Sequence, residues 1–385
     1  MLWCELDPAT QAHSLAVTGG RVEHGGIAGL TLGGGIGWMA RAYGLTCDSL
    51  IGADLVTADG ELVHVTPGST PELLWALRGG GGNFGVVTRF EYALHPVGPY
   101  VIAGLMVYPP ERTDVLGAWE EFCKHAPDEL STTIAMQRTP KALPGGLQMM
   151  PDGVRNREGY MLSYCSLLEY ERTLEALAPL RELQPSFEIA GPMLYTGLQT
   201  LTDGDHPYGV RSDTRGHRLA RLDAGAIDVI IEYFRTRSRT GSRMFIEHME
   251  GAAGRVPEWD TAYPDRTSPY SIVILGMMRD DADVAGVKAW TRGLWRDLKP
   301  YGAGASYLNW LGLDEEPDRV EATFGPEKYR RLAEIKWRWD PENLFRLNAN
   351  IKPAPRCGQS ARYERRSARR IGLNFSMTRD RRRSA

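Results

Sequence analysis

The sequence predicts an α+β protein in which an antiparallel sheet is backed by helices. Short apolar runs of strand length alternate with glycine, proline and Asp-Gly turn signals. Between these runs lie stretches whose apolar spacing suits helices packed on one face of a sheet. The chain has 385 residues, of which 42% are hydrophobic and 24% charged. A chain of this size and composition can form two domains with sizeable cores.

The first elements predicted are a hairpin, a helix and a strand. Residues 50–57 and 62–65 are two strands joined by a tight turn, because Asp59-Gly60 between apolar runs is a strong hairpin signal. Residues 71–77 form a helix with Pro71 in its first turn. Residues 86–94 return to strand character. The proline and glycine cluster at 96–99 then predicts a domain boundary.

Beyond this boundary, strands are predicted at 101–108, 160–164 and 271–278, and helices at 111–125 and 170–178. A further helix at 329–337 ends at the turn 340–343, and residues 348–353 close the compact region. We predict that residues 1–98 and 335–353 form one lobe and that 99–334 form a second domain. Residues 354–385 are predicted to be a basic, disordered tail.

Charge and cysteine usage limit the classes of partner. The net charge is −3; ten arginines face two acidic residues from position 354 onward, so the tail carries +8 and the body −11. The tail could bind nucleic acid or anionic lipid, but an acidic body repels phosphate, so we expect no nucleic-acid partner. Five scattered cysteines without a CxxC pair predict neither a disulfide framework nor a metal site. Neither a membrane-length apolar run nor a signal-peptide pattern is present, which predicts a cytoplasmic protein without a membrane partner.

Two glycine runs, at 33–37 and 79–85, are the densest local signals. Because glycine is costly to order and accepts most backbone angles, they predict backbone packed against something that tolerates no side chain, such as a flat or anionic ligand. A dinucleotide fingerprint is a poor match, since Ala40 stands where its last glycine would be. A tight turn or bulge in a packed sheet is the alternative for either run.

Four segments in order resemble the berberine-bridge-enzyme-like FAD-linked oxidases of the vanillyl-alcohol-oxidase, or PCMH-type, superfamily. They are GLTLGGGIG at 29–37, residues 48–60, LWALRGGGGNFGVVT at 74–88, and YLN at 307–309 with DPENLFRLNANI at 340–351. Four matches in the same order carry more weight than one short motif. The resemblance spans most of residues 2–353.

The resemblance implies a partial PCMH-type FAD-binding lobe and a substrate domain with an antiparallel sheet. The cofactor would be FAD and the reaction oxidation of a small alcohol, sugar or secondary metabolite by hydride transfer to flavin. Molecular oxygen would be the acceptor. Family members carry a further lobe before the part that matches Leu2, with a pyrophosphate loop and a flavin-linking histidine. An alternative is therefore a non-catalytic truncated fragment that binds FAD weakly or not at all.

By the same resemblance, one set of residues lies at the cofactor. Near Val22, where some members have a second covalent cysteine anchor, this chain has no cysteine. Asn348 and Asn350 alternate along an extended segment and so point the same way; turn-capping amides are the alternative. The predicted cofactor-binding residues are Gly33, Gly34, Gly35 and Gly37 by the flavin, Asn83, Gly85, Val86 and Val87 near its nucleotide end, and Asn309, Asn348 and Asn350.

The predicted catalytic residues are Tyr307 and Glu247. A phenol with a tuned pKa is a plausible base, although Tyr307 could instead fill an interface between domains. Glu247 and His248 follow each other on a strand, so only one of them can face a pocket; a solvated strand face is the alternative. Arg266 and Tyr270 are further candidates for substrate contact, and His24 is expected to be a hydrogen-bonding loop residue.

Overall fold

The computed structural model describes residues 1–141, 150–205, 208–237, 241–278, 281–312 and 317–355. Its first part, the N-terminal lobe (residues 1–98), holds a three-stranded antiparallel sheet in the order β3-β2-β4, and β1 pairs with β5. The elements of this lobe are α1 (Trp3–Gln11), β1 (Leu15–Ala16), α2 (Ile27–Gly33), α3 (Ala40–Tyr43), β2 (Leu50–Val56), β3 (Leu62–Val65), α4 (Pro71–Leu77), β4 (Val86–Tyr92) and β5 (His95–Pro96).

The rest of the described chain builds a larger antiparallel sheet of seven strands in the order β10-β12-β11-β7-β8-β6-β9. Its strands are β6 (Tyr100–Tyr108), β7 (Leu130–Arg138), β8 (Glu158–Ser166), β9 (Phe187–Leu194), β10 (Arg211–Leu219), β11 (Arg243–His248) and β12 (Tyr270–Met278). The helices are α5 (Val115–Cys123), α6 (Tyr170–Ala176), α7 (Ala178–Arg181), α8 (Tyr195–Leu198), α9 (Ala224–Thr236), α10 (Gly251–Arg255), α11 (Val284–Asp297) and α12 (Pro317–Trp339).

The two faces of the large sheet have different surroundings because successive strand residues point to opposite sides. One face carries Ile134, Met136, Leu162, Met244 and Ile246, which join the main hydrophobic core. That core also contains the buried faces of helices α5, α9 and α11. The helices therefore cover one face of the sheet, as the α+β prediction requires, and leave the other face to the N-terminal lobe.

A second core lies in the N-terminal lobe and includes the far C-terminal part of the chain. Leu332, Ile335 and Ile351 pack there with residues of β2 and α4. Helix α12 kinks at Gly325, where φ is +72° and Pro326 follows. Val320 and Phe324 already belong to this core. The predicted boundary between positions 334 and 335 therefore falls inside a helix, and the chain returns to the N-terminal lobe earlier than predicted.

Buried ionic contacts join the two parts. The Arg266 guanidinium donates to both carboxylate oxygens of Asp48, at 2.9 and 2.6 Å, and also to the Ala253 carbonyl. Arg41 on α3 donates to the Leu130 carbonyl at the start of β7 and contacts His248. Such contacts fix the lobe against the sheet, since an unpaired buried charge would cost several kcal/mol.

The predicted hairpin, the helix at 71–77 and the strands at 101–108, 160–164 and 271–278 all appear in the structure. Strands β7, β9 and β10 and helices α1, α2, α9 and α11 were not predicted. Of the predicted tail, residues 356–385 lie outside the described residues. Within the described part of the chain, none of the helices combines the length and the apolar character needed to cross a bilayer.

Candidate active site

A cleft lies between the N-terminal lobe and the exposed face of the large sheet. It encloses about 1230 Å³ of space, including the part open to solvent. One wall is formed by residues 20–38 and the other by strands β7, β8 and β11, with Tyr307, Asn309 and Trp310 at one side. Ligand sites in proteins are typically clefts of this kind, lined by apolar side chains with a few polar groups.

The sheet wall follows from strand alternation. Thr133, Ala135 and Gln137 on β7 face the cleft, while Ile134 and Met136 point into the core. The neighbouring strands are in register: Thr133 lies opposite Glu247 on β11 and Ser163 on β8, and Ala135 lies opposite Phe245 and Met161. The cleft-facing positions of the three strands are Thr133, Ala135, Gln137, Met161, Ser163, Arg243, Phe245 and Glu247.

The opposite wall is the backbone of a short glycine-containing segment, residues 19–26. Gly20, Gly25 and Gly26 line the cleft, and a Cβ added at Gly26 would meet no atom within 4 Å. Three side chains from residues 199–203 fix this segment. Gln199 donates to the Gly20 carbonyl at 3.0 Å, Thr202 donates to the Arg21 carbonyl, and Asp203 accepts from the Glu23 amide at 3.0 Å. The segment therefore forms a fixed backbone surface that is open at Gly26.

The first glycine run is packed against protein atoms on the side where side chains would project, and its binding of FAD stays a prediction. A Cβ at Gly33 would overlap the Asn309 amide, and one at Gly34 would lie 2.5 Å from Cε2 of Tyr263. Gly34 and Gly35 have φ of +128° and +91°, angles that favour glycine. Gly37 packs on the Gly19 carbonyl, so the run supports the cleft wall from behind, and within it Ile36 lines the cleft.

Tyr307 lies at the end of the cleft, where three N–H groups meet its hydroxyl oxygen. The Gly35 amide donates at 2.9 Å, the Ile36 amide at 3.4 Å and the Asn309 side-chain amide at 2.8 Å. Burial raises the pKa of Tyr307 above its usual range, although these donors act in the opposite sense. The three hydrogen bonds fix the phenol against the first glycine run.

Glu247 on β11 is only 3% exposed, and it lines the cleft. Its Oε1 lies 3.3 Å from Nη1 of Arg21, while its Oε2 has no hydrogen-bond partner among the described residues. Burial raises the pKa of Glu247, and the positive charges of Arg21 and Arg218 lower it. A buried carboxylate with one free oxygen can accept a hydrogen bond or a proton from a bound molecule.

The structure brings Glu247, Tyr307 and Asn309 together at the cleft but places the other predicted cofactor residues elsewhere. Asn83 uses its side chain to bond the Gly80 and Ala349 carbonyls and the Ile351 amide. Asn348 donates to the Gly82 carbonyl at 2.9 Å. These contacts attach the C-terminal segment to the second glycine run, away from the residues that line the cleft.

The remaining predicted residues near the second run are less enclosed or serve packing. Gly85 packs against Leu55 and the Val56 carbonyl. Val86 is 55% exposed and Val87 half-buried on β4. Asn350 has a buried Oδ1 without a hydrogen-bond partner in the described chain. Binding of FAD at these positions stays a prediction.

Four other candidates do not line the cleft in the described structure. His248 points to the opposite side of β11 from Glu247 and contacts Arg41 and Glu250. Both residues are buried, so the alternative of a solvated strand face is wrong. Arg266 pairs with Asp48, and Tyr270 is buried in the main core. The His24 carbonyl accepts from Tyr208, and its ring lies near Asp203, which fits a loop role.

Sequence reasoning missed the segment 19–26 and, above all, Arg21. The pairs Gly19-Gly20 and Gly25-Gly26 are a local signal of exposed backbone, but the cofactor site was predicted from the longer glycine runs downstream. Arg21 stacks on the Trp38 ring, with its Cζ 4.5 Å from the ring centroid. No short motif marks this residue, because its partners Thr133 and Glu247 come from distant strands.

The residues at the cleft fit FAD. The open backbone at Gly26, together with Leu30 and Ile36, offers a surface that a flat ring can approach. Five buried polar atoms of cleft-lining residues have no hydrogen-bond partner in the described chain, and buried polar groups normally have one. They are Nε1 of Trp3, Nε of Arg21, Nε1 of Trp38, Oε2 of Glu247 and Nε1 of Trp310.

Comparison with protein families gives matches at both ends of the described chain. The family described as "Berberine and berberine like" matches residues 306–352, which contain Tyr307 and Asn309. The family described as "FAD binding domain" matches residues 1–66, which contain the segment 19–26 and the first glycine run. Both matched regions contribute residues to the cleft, and the sheet wall lies between them in the sequence.

Individual proteins agree with these matches. An FAD-linked oxidoreductase of Dictyostelium discoideum is 32% identical over 360 residues, covering 91% of this chain and 73% of that protein. The (R)-6-hydroxynicotine oxidase of Paenarthrobacter nicotinovorans is 26% identical over 356 residues, covering 88% and 73%. A solved chitooligosaccharide oxidase superposes with a TM-score of 0.77 at 21% identity, covering 92% and 77%. The chain belongs to the berberine-bridge-enzyme-like family of FAD-linked oxidoreductases.

Proposed function

We propose that this FAD-dependent oxidoreductase oxidises a small hydroxyl-bearing molecule, an alcohol or a sugar, and that Glu247 is the general base. The observation that carries the proposal is the buried carboxylate of Glu247, a cleft-lining residue whose Oε2 has no hydrogen-bond partner in the described chain. A hydroxyl group is both donor and acceptor, so it can bond this oxygen directly. Relatives named as oxidases of hydroxynicotine and chitooligosaccharides support a small-molecule substrate.

Burial has different consequences for the two predicted catalytic residues as proton acceptors. It raises the pKa of both Glu247 and Tyr307. A raised carboxyl pKa moves toward neutrality, where a general base works best, whereas a raised phenol pKa moves away from it. This supports Glu247 as the proton acceptor. It supports Tyr307 as a neutral residue that fixes Gly35 and Asn309 at the end of the cleft.

Residues 20–26 with Leu30 and Ile36 would hold the flavin, and the sheet wall would hold the substrate. FAD, when bound, supplies the acceptor for the hydride from the carbon that bears the hydroxyl. Glu247 takes the hydroxyl proton, so the alcohol becomes a carbonyl with one hydride and one proton removed. Trp38, Trp310 and Phe245 enclose the reacting groups and limit access of water. We propose molecular oxygen as the electron acceptor that follows.

The test is a spectrum of the FAD-loaded protein. Under anaerobic conditions, we expect the visible flavin band to bleach on addition of primary or secondary alcohols, reducing sugars or N-acetylglucosamine oligomers. The amine 6-hydroxynicotine, whose only hydroxyl is on an aromatic ring, is the comparison compound without an alcohol group. Admission of air should then restore the band and release hydrogen peroxide. A protein that retains FAD but bleaches with none of the hydroxyl compounds contradicts the proposal.

A further inference from the structure

Arg21 stands at the point where the two walls of the cleft meet. It belongs to the glycine-containing segment 19–26 of the N-terminal lobe, yet its guanidinium reaches the sheet wall. The backbone at Arg21 is fixed from behind, because Thr202 donates to the Arg21 carbonyl and Gln199 donates to the Gly20 carbonyl. The side chain therefore starts from a rigid position, which limits the entropy lost when it makes ordered contacts.

Three contacts define the guanidinium. Nη1 donates to the Thr133 hydroxyl and lies 3.3 Å from Oε1 of Glu247. The planar group stacks on the Trp38 ring at 4.5 Å. A planar guanidinium can form hydrogen bonds at its edge and stack with its face at the same time, which an ammonium cannot. Trp38 and Thr133 thus hold the charge beside one oxygen of Glu247 and leave the other oxygen free.

The charges around Glu247 come from several elements. Arg21 faces it from segment 19–26, Arg218 from β10 and Ser271 from the paired strand β12, and each stabilises its ionised form. Thr133 lies opposite it on β7. Cys165 on β8 is close to Arg21 and has a pKa raised by burial to about 12, so the thiol stays neutral at ordinary pH. Arg21 has a direct contact with the Glu247 carboxylate, whereas Arg218 donates to the Ser268 carbonyl.

We propose that Arg21 is a positioning residue that holds Glu247 across the two walls of the cleft and stabilises its negative charge for proton abstraction. The inference rests on the proposed function, in which Glu247 is the base. Arg21, on the wall that would hold FAD, thus controls the charge of Glu247, on the wall that would hold the substrate.

The direct test is a carbon-13 NMR titration of glutamate side-chain carboxyls in the FAD-loaded protein, with the Glu247 signal assigned by its loss in Glu247→Gln. In Arg21→Gln, we expect the Glu247 midpoint to move to higher pH by roughly one pH unit or more, the effect of losing an adjacent opposite charge. Arg21→Lys keeps the charge and should restore most of this change.

Arg243→Gln is the matched control, since Arg243 also lines the cleft but lies four residues along β11 from Glu247, roughly 13 Å at strand spacing. Its effect on the Glu247 midpoint should be small. Equal midpoints in Arg21→Gln and Arg243→Gln overturn the proposal. The titration needs no substrate or turnover, so this failure is distinct from a failure of alcohol oxidation.

A second measurement applies if Arg21→Gln does not fold. Exchange of the Arg21 guanidinium protons with solvent is compared in the wild type and in Glu247→Gln, which replaces the carboxylate by a group of the same shape. We expect at least a tenfold faster exchange in Glu247→Gln, because the charged partner of Nη1 is lost. An unchanged exchange rate shows that Glu247 does not hold the guanidinium and overturns the proposal.

Discussion

Glu247 and Asp7 are two buried acids whose pKa values are raised by burial, yet their surroundings differ. Glu247 has an arginine at one oxygen and the cleft beside it. Asp7 on α1 is 2% exposed and accepts a hydrogen bond from Gln199 at 3.0 Å, and burial raises its pKa from 3.8 to about 6. Gln199 also holds the Gly20 carbonyl at the cleft wall. Asp7 therefore supports the wall without contacting the cleft.

Asp7→Asn tests this acid. Because the pKa of Asp7 is higher in the folded than in the unfolded chain, its stabilising effect is complete below pH 3.8 and is lost as the pH rises through about 6. We expect Asp7→Asn to be more stable than the wild type at pH 8, by about 3 kcal/mol at roughly 1.4 kcal/mol per pKa unit. Urea unfolding between pH 4 and 8 measures the difference.

The contribution of other groups cancels in that comparison, since both proteins carry them. The gain of the variant over the wild type should grow steadily between pH 4 and 7. A difference that does not change with pH would show that Asp7 is ionised in the folded protein as easily as in the unfolded chain.

Among the elements, the first glycine run has the strictest conformational demands. Gly34 combines a φ of +128° with Tyr263 at 2.5 Å from any added Cβ. Gly29 has neither constraint. It lies within α2, and a Cβ there would meet nothing within 4 Å. The two glycines are thus a matched pair in which only one is required by packing.

We expect Gly34→Ala to lower the free energy of unfolding by about 2 kcal/mol or more, through a strained φ and an overlap with a ring that is itself packed. Gly29→Ala should raise it by about 0.5–1 kcal/mol, since alanine favours the helix. Denaturant unfolding of both variants measures these changes. Equal effects of the two substitutions would mean that the packing around Gly34 yields easily.

Prediction from sequence succeeded for elements with local signals and failed where polar residues are buried. The hairpin at β2 and β3 carries its own Asp-Gly turn. Strand β7 has Thr132 and Thr133 in its centre, and β10 includes Arg215, His217 and Arg218, all buried. Such strands lack the apolar alternation that identifies a strand, because their buried polar side chains bond groups from distant parts of the chain. Thr132 accepts from Trp119, His217 contacts the Trp295 carbonyl and Arg218 donates to the Ser268 carbonyl. Glu247 was predicted from its position on a strand, and Tyr307 from a sequence motif. Arg21 could not be predicted in this way, because its role depends on a contact with a distant segment.

In the whole molecule, the cleft lies between two surfaces that buried polar contacts hold together. The Arg266–Asp48 pair is nearly inaccessible, with side-chain exposures of 2% and 9%, and joins the loop before β12 to the segment before β2. Arg266 was predicted to contact substrate; instead it donates to Asp48, Ala253 and Thr261. Arg266 does not line the cleft, but its pair with Asp48 fixes the N-terminal lobe relative to the large sheet and so affects the shape of the cleft.

Arg266→Met should lower the free energy of unfolding by about 3–5 kcal/mol, because Asp48 is left buried without its charged partner. The control is Arg330→Met on α12, whose pair with Glu334 is formed by an arginine that is 70% exposed. There we expect a loss of less than about 1 kcal/mol. Thermal unfolding of both variants measures the contrast, and similar losses would contradict a joining role for Arg266.

The role of Glu247 as the base is tested by the rate of flavin reduction in Glu247→Gln. This rate is compared with that of the wild type by anaerobic rapid mixing with an alcohol or sugar that bleaches the wild-type protein. Glutamine preserves the shape of the side chain but cannot accept the proton. With FAD bound equally by both proteins, we expect reduction in the variant to be slower by roughly 10²–10⁴-fold. A variant that reduces its flavin at the wild-type rate would contradict the assignment of Glu247 as the base.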